Sequence, residues 1–98
     1  MEETILTRHP ESGKQGKRIS RAKYDLVRAS IIAVLRARGS LTFTELSQAV
    51  NARLRGKFEG SISWYVAMVK LDLEARRIVR RVPKADPPKL ELVAGRQD

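Results

Sequence analysis

Three segments with helical spacing of apolar residues, two short β-branched runs after them, and a marked excess of basic side chains predict a mainly α domain with a small β-wing. The order helix, short extended stretch, helix, helix, strand, loop, strand is that of a winged helix-turn-helix. Such a domain has three helices plus a two- or three-stranded antiparallel sheet. The run Leu71-Asp-Leu-Glu-Ala-Arg-Arg-Ile-Val-Arg-Arg81 carries the most weight, because it begins as a helix and ends as a strand bearing paired arginines.

Residues 1–19 are expected to form a flexible basic N-terminal arm. The stretch Arg8-His-Pro-Glu-Ser-Gly-Lys-Gln-Gly-Lys-Arg18 has almost nothing apolar to offset its ordering entropy. Residues 20–94 are the expected folded domain, and residues 95–98 a C-terminal tail. Ser20 caps the first helix, with Ile19 placed to pack on Tyr24 across the cap. Tyr24, Val27, Ile31, Val34 and Leu35 recur on one face, and Gly39 ends the helix in a left-handed turn.

Leu41 leads into the second helix, where Thr42 and Glu45 have capping-box spacing. Phe43, Leu46, Val50 and Leu54 form its expected apolar stripe, and Gly56-Lys-Phe-Glu-Gly60 turns the chain. The third helix runs from about Ser61 to Arg76. Ile62, Val66, Val69 and Leu73 form its core face, and Ser63, Ala67, Lys70 and Glu74 an exposed polar face. Ile78–Val82 and Leu90–Val93 read as strands, separated by the proline-rich loop Pro83-Lys-Ala-Asp-Pro-Pro88.

Composition narrows the function classes. The 98 residues suffice for one domain with a modest core. With no cysteine there is no disulfide, no thiolate metal site and no cysteine nucleophile. His9 is the only histidine and stands in the arm, so a histidine-based triad has nothing to rest on. Gly13-Lys-Gln-Gly-Lys17 lacks the spacing and the following Ser or Thr of a phosphate loop. Asp72 and Glu74 lie two apart on a helix, which suits local ion pairs and not a catalytic dyad. The sequence therefore predicts no enzyme, no catalytic residue, no metal and no cofactor, and no small-molecule ligand is evident. No apolar run reaches the ~20 residues of a membrane span, and no secretory signal is expected. A cytoplasmic protein, nucleoid-associated if it binds DNA, is the expectation.

The net charge of +9 points to a polyanion, with double-stranded DNA the expected partner. Ser61, Ser63, Ala67 and Lys70 are the expected groove-facing residues of the third helix. Arg80, Arg81, Lys84 and Lys89 on the wing, and Lys14, Lys17 and Arg18 on the arm, are the expected phosphate contacts. Arg53, Arg55 and Lys57 cluster where they also complement the dipole at the end of the second helix. Trp64, Met68 and Leu71 make a second apolar flank on the third helix. They serve either as extra core beneath the arm or wing, or as the contact of a homodimer or protein partner.

Leu73-Glu-Ala-Arg76 resembles the end of the reading helix in MarR-type winged-helix regulators, with Arg77 where a glycine is usual. The chain as a whole is similar to a family of small bacterial winged-helix proteins. The likeness rests on His9-Pro10 with Gly13-Lys14 and Gly16, on Lys23-Tyr24, on Trp64-Tyr-Val66 and on Val69-Lys-Leu-Asp-Leu-Glu-Ala75. It implies the fold over about residues 8–93 and no particular activity.

Overall fold

The computed structural model describes residues 2–94. The expected C-terminal tail, 95–98, lies outside the described residues, as does Met1. Two strands, β1 (Thr4–Leu6) and β2 (Arg18–Ser20), precede helix α1 (Arg21–Arg38). Strand β3 (Leu41–Thr42), helices α2 (Phe43–Leu54) and α3 (Ile62–Ala75), and strands β4 (Val79–Arg81) and β5 (Lys89–Leu92) follow. The three helices and the antiparallel strands that follow α1 match the sequence reading, whereas β1 and β2 fall in the expected arm.

Local chemistry sets the helix ends. Ser20 Oγ accepts the backbone N–H of Lys23 at 3.2 Å. The α1 C-terminus closes on Gly39, whose φ of 86° suits glycine. At α2 the full capping box forms: Thr42 Oγ1 accepts from Glu45 N at 3.1 Å and Glu45 Oε1 accepts from Thr42 N at 2.9 Å. These bonds hold the Glu45 carboxyl below its usual range. Helix α3 ends in a Schellman arrangement, with Ile78 N donating to Leu73 O at 2.9 Å and Arg77 N to Glu74 O at 3.1 Å. Arg77 takes the left-handed conformation itself, at φ 63°.

The sheet order is β3-β5-β4, antiparallel throughout. Leu41 faces Leu90 across one pairing, and Val79, Arg80 and Arg81 face Leu92, Glu91 and Leu90 across the other. Val27, Ile31, Leu35, Leu46, Val50, Val66, Val69 and Leu73 fill the space between the helices, and Val79 and Leu90 close it from the sheet. Phe43, expected on the buried stripe of α2, is exposed instead. It is the first residue of the helix, beyond the reach of the core, and its ring lies beneath Lys70 Nζ at 5.8 Å. Ile62, expected in the core, is only partly buried against it.

The largest departure from the sequence reading is at the N-terminus. The expected flexible arm is a paired hairpin, with Thr4, Ile5 and Leu6 opposite Ser20, Ile19 and Arg18. Ile19 is buried and Ile5 packs on the core. Beyond the strands, the Thr7 hydroxyl extends the pairing: it donates to Lys17 O at 3.0 Å and accepts from Lys17 N at 2.8 Å. Its own carbonyl is turned against Gly16, where any β-carbon would stand 2.0 Å from the oxygen, so only glycine fits. Arg8 N then donates to Asp72 on α3 at 2.8 Å, tying the hairpin to the domain.

Candidate nucleic-acid interface

Helix α3 has four differently employed sides. Val66, Val69 and Leu73 face the core. On one flank, toward α2 and the β4–β5 hairpin, lie Ser63, Lys70 and Glu74. On the other, toward α1 and the first hairpin, lies Asp72. The outward side carries Trp64, Ala67, Met68, Leu71 and Ala75, at i, i+3, i+4, i+7 and i+11, all apolar.

The expected groove-facing residues divide. Ser61 is the N-cap of α3, its hydroxyl accepting from Trp64 N at 3.2 Å. Ser63 is exposed and accepts from the Ser47 hydroxyl at 3.4 Å. Ser63 lines a polar cleft of about 270 Å³ with Ser47, Gln48, Asn51 and Arg55. Ala67 is half-buried on the outward side. Lys70 was expected on an exposed polar face, yet its side chain is only 13% exposed and that of Glu74 10%. The β4–β5 hairpin covers them. Lys70 Nζ stands 3.0 Å from Glu74 Oε2, and Arg81 Nε 3.3 Å from Glu74 Oε1.

Strand alternation explains the hairpin's charges. Arg81 shares a face with Val79 and so turns toward α3, whereas Arg80 turns away and pairs with Glu91 across the strand at 2.7 Å. Both expected phosphate contacts are thus already ion-paired, exposed though they are. Neither Lys84 nor Lys89 is in an ion pair among the described residues, although the charge of Lys89 helps to lower the Glu45 carboxyl. Lys84 is exposed at the hairpin tip, in a Val82–Ala85 turn where it follows Pro83 and takes φ 62°. Lys89 lines a cavity of about 170 Å³ with Phe43, Lys70, Arg81 and Pro88, the point where α2, α3 and the hairpin meet.

The arm residues are fixed by the first hairpin. Lys14 pairs with Glu11 at 3.1 Å, and Arg18 donates to Thr4 Oγ1 at 3.3 Å. Lys17 uses its backbone in the pairing and leaves its side chain exposed. They lie on the opposite flank of α3 from Lys84 and Lys89, and the two basic sets are not brought together. Of the apolar flank, Met68 and Leu71 are half-buried, while Trp64 remains 42% exposed and meets Tyr65 edge-on, ring centroids 5.0 Å apart. At the other end of that side, Ala75 lines a cleft with Thr7, Arg8 and His9 of the first hairpin.

Asp72 was expected to pair locally, and it does so with Arg76 at 2.8 Å. It is also fully buried and accepts from Arg8 N and from the Tyr24 hydroxyl. Burial and the Asp72 bond push that hydroxyl up to about 12. The bond to Asp72 raises Arg76 in turn. An apolar neighbour on each side, Leu71 and Leu73, was the available sequence signal that Asp72 is no surface acid. Among the described residues no cluster of His, Cys, Asp or Glu is placed to hold a metal, and no helix is long and apolar enough to cross a membrane.

The chain belongs to a family of unknown function (DUF6958), whose model matches residues 4–90. That stretch takes in the first hairpin together with the three helices. No curated protein and no solved structure matches the chain.

Proposed function

We propose that this family member is a winged helix-turn-helix protein that binds double-stranded DNA chiefly through its phosphates, with weak choice of base. Two features support the winged-helix assignment. A short strand between the first two helices pairs with the last strand of the C-terminal hairpin, and that hairpin follows the third helix directly. The hairpin is then the wing.

The observation that carries the DNA reading is the basic junction of α2, α3 and the wing in a chain of net charge +9. Lys89 lines that junction and Lys84 stands at the wing tip, neither of them in an ion pair among the described residues, and each phosphate they neutralise releases counterions. Ser61 and Ser63 add hydroxyls at a helix N-terminus, a ready phosphate contact. Base choice is weak because the outward side of α3 offers no Arg, Asn or Gln to a groove. Transcriptional regulation is the role this reading implies, and it includes no catalytic step.

The test is duplex binding as a function of salt. Affinity is expected to fall steeply as salt rises, and Lys84→Ala with Lys89→Ala to lower the log–log slope by about 1 to 2. Absence of binding at low salt overturns the reading.

A second reading is favoured by Trp64, which stays exposed on the apolar side of α3. Trp64, Met68 and Leu71 would then be the apolar contact of a homodimer or protein partner. Such a contact survives high salt, which separates it from DNA binding.

A further inference from the structure

A second cleft, of about 420 Å³, opens between the first hairpin, α1 and the end of α3. Its lining includes Arg8, Arg21, Arg28 and Arg76, with Tyr24 and Asp25. Three carboxylates serve two of these four guanidinium groups. Asp25 holds Arg21 at 3.3 Å, and buried Asp72, behind Tyr24, holds Arg76 at 2.8 Å. Glu3 reaches Arg21 only from the exposed rim, at 3.7 Å. Arg8 and Arg28 have no carboxylate partner among the described residues. Two of the four guanidinium groups are therefore without an ion pair, and like charges gathered in one recess favour an anion between them.

We propose that this cleft binds a small phosphomonoester. The charge selects the class: a phosphomonoester carries about −1.5 to −2 at neutral pH, matching the two free guanidiniums, while a phosphodiester carries only one negative charge. The geometry agrees, since guanidinium forks take phosphate oxygens in pairs. The volume falls within the roughly 300–1,000 Å³ of small-molecule sites. A bound phosphate would touch three elements at once: Arg8 on the hairpin, Arg28 on α1 and Arg76 at the end of α3. Because Arg8 also donates its backbone N–H to Asp72, the ligand would clamp the hairpin to the helix it already touches. The cleft lies apart from Lys84 and Lys89, so this site does not depend on the DNA reading.

The experiment titrates the whole protein with inorganic phosphate and glycerol 3-phosphate at constant ionic strength, read by calorimetry and by thermal melting. Saturable binding with a rising Tm is expected. Arg28→Gln is expected to weaken it about tenfold or more, the worth of one charge-assisted bond. Lys84→Ala leaves it unchanged. Dimethyl phosphate, a monoanionic diester, binds at least about tenfold more weakly. Should Arg28→Gln fail to fold, Arg28→Lys keeps the charge without the fork and is expected to lose most of the affinity. Unchanged binding by a folded Arg28 variant, or an equal melting shift from chloride, overturns the proposal. So does competition by end-blocked duplex DNA that Arg28→Gln abolishes, since the cleft would then belong to a nucleic-acid surface.

Discussion

Asp72 holds a charge where water does not reach, and three donors from three parts of the chain make that tolerable. Two partners stand 48 and 64 residues away in sequence, so neither was readable beside it. What the sequence showed was the arginine four places on. Tyr24 has a pH signature. Its hydroxyl bonds as the neutral form, with an ordinary value of 10.0 raised to about 12 in the fold. The stabilisation is therefore complete below pH 10 and lost as pH rises toward 12. Tyr24→Phe is expected to lower stability by about 1.5–3 kcal/mol at neutral pH, as for a hydrogen bond to a charged group. In urea melts that gap should close between pH 10 and 12. A gap independent of pH would show that the hydroxyl is not what matters.

Helix ends show why some elements were readable and one was not. Ser20, the Thr42–Glu45 box, Gly39 and the Leu73–Arg76 terminus act within a few residues of themselves, and the sequence carries their whole cause. Arg77 marks a place where the local preference is overridden. A non-glycine residue at positive φ costs about 1–2 kcal/mol, and here the Schellman bonds and the burial of Ile78 hold it there. Arg77→Gly is expected to raise stability by about 1 kcal/mol, as a shift in the urea midpoint with an unchanged m-value. The first hairpin, by contrast, left no periodic trace. A threonine hydroxyl standing in for a carbonyl and a glycine admitting a close approach are single contacts, invisible to a pattern of apolar spacing. The covered Lys70–Glu74 pair escaped for a related reason: helical spacing says which residues share a face, not which faces a later hairpin will shield.

Across the whole molecule, the Cα radius of gyration is 12.9 Å, close to the ~12.6 Å of one domain of this length. The first hairpin is thus part of the domain, and the boundary expected at residue 19 does not divide two bodies. Deleting residues 2–17 removes Ile5 from the core edge and one donor from Asp72. The expected loss is at least about 2 kcal/mol, or roughly 8–16 °C in Tm. A free arm could be removed with no change in melting. Of the proposed interface, the basic excess was readable in composition, but not which cations the fold would spend on carboxylates. Arg80, Arg81 and Lys70 are engaged, and Lys84 and Lys89 are left to act. The Arg8–Asp72 bond has one more consequence, in time and not in energy. The Arg8 amide proton can exchange with solvent only when the hairpin lifts from the third helix. Its exchange rate is therefore a clock for that opening, one backbone position reporting how often the two ends of the domain part.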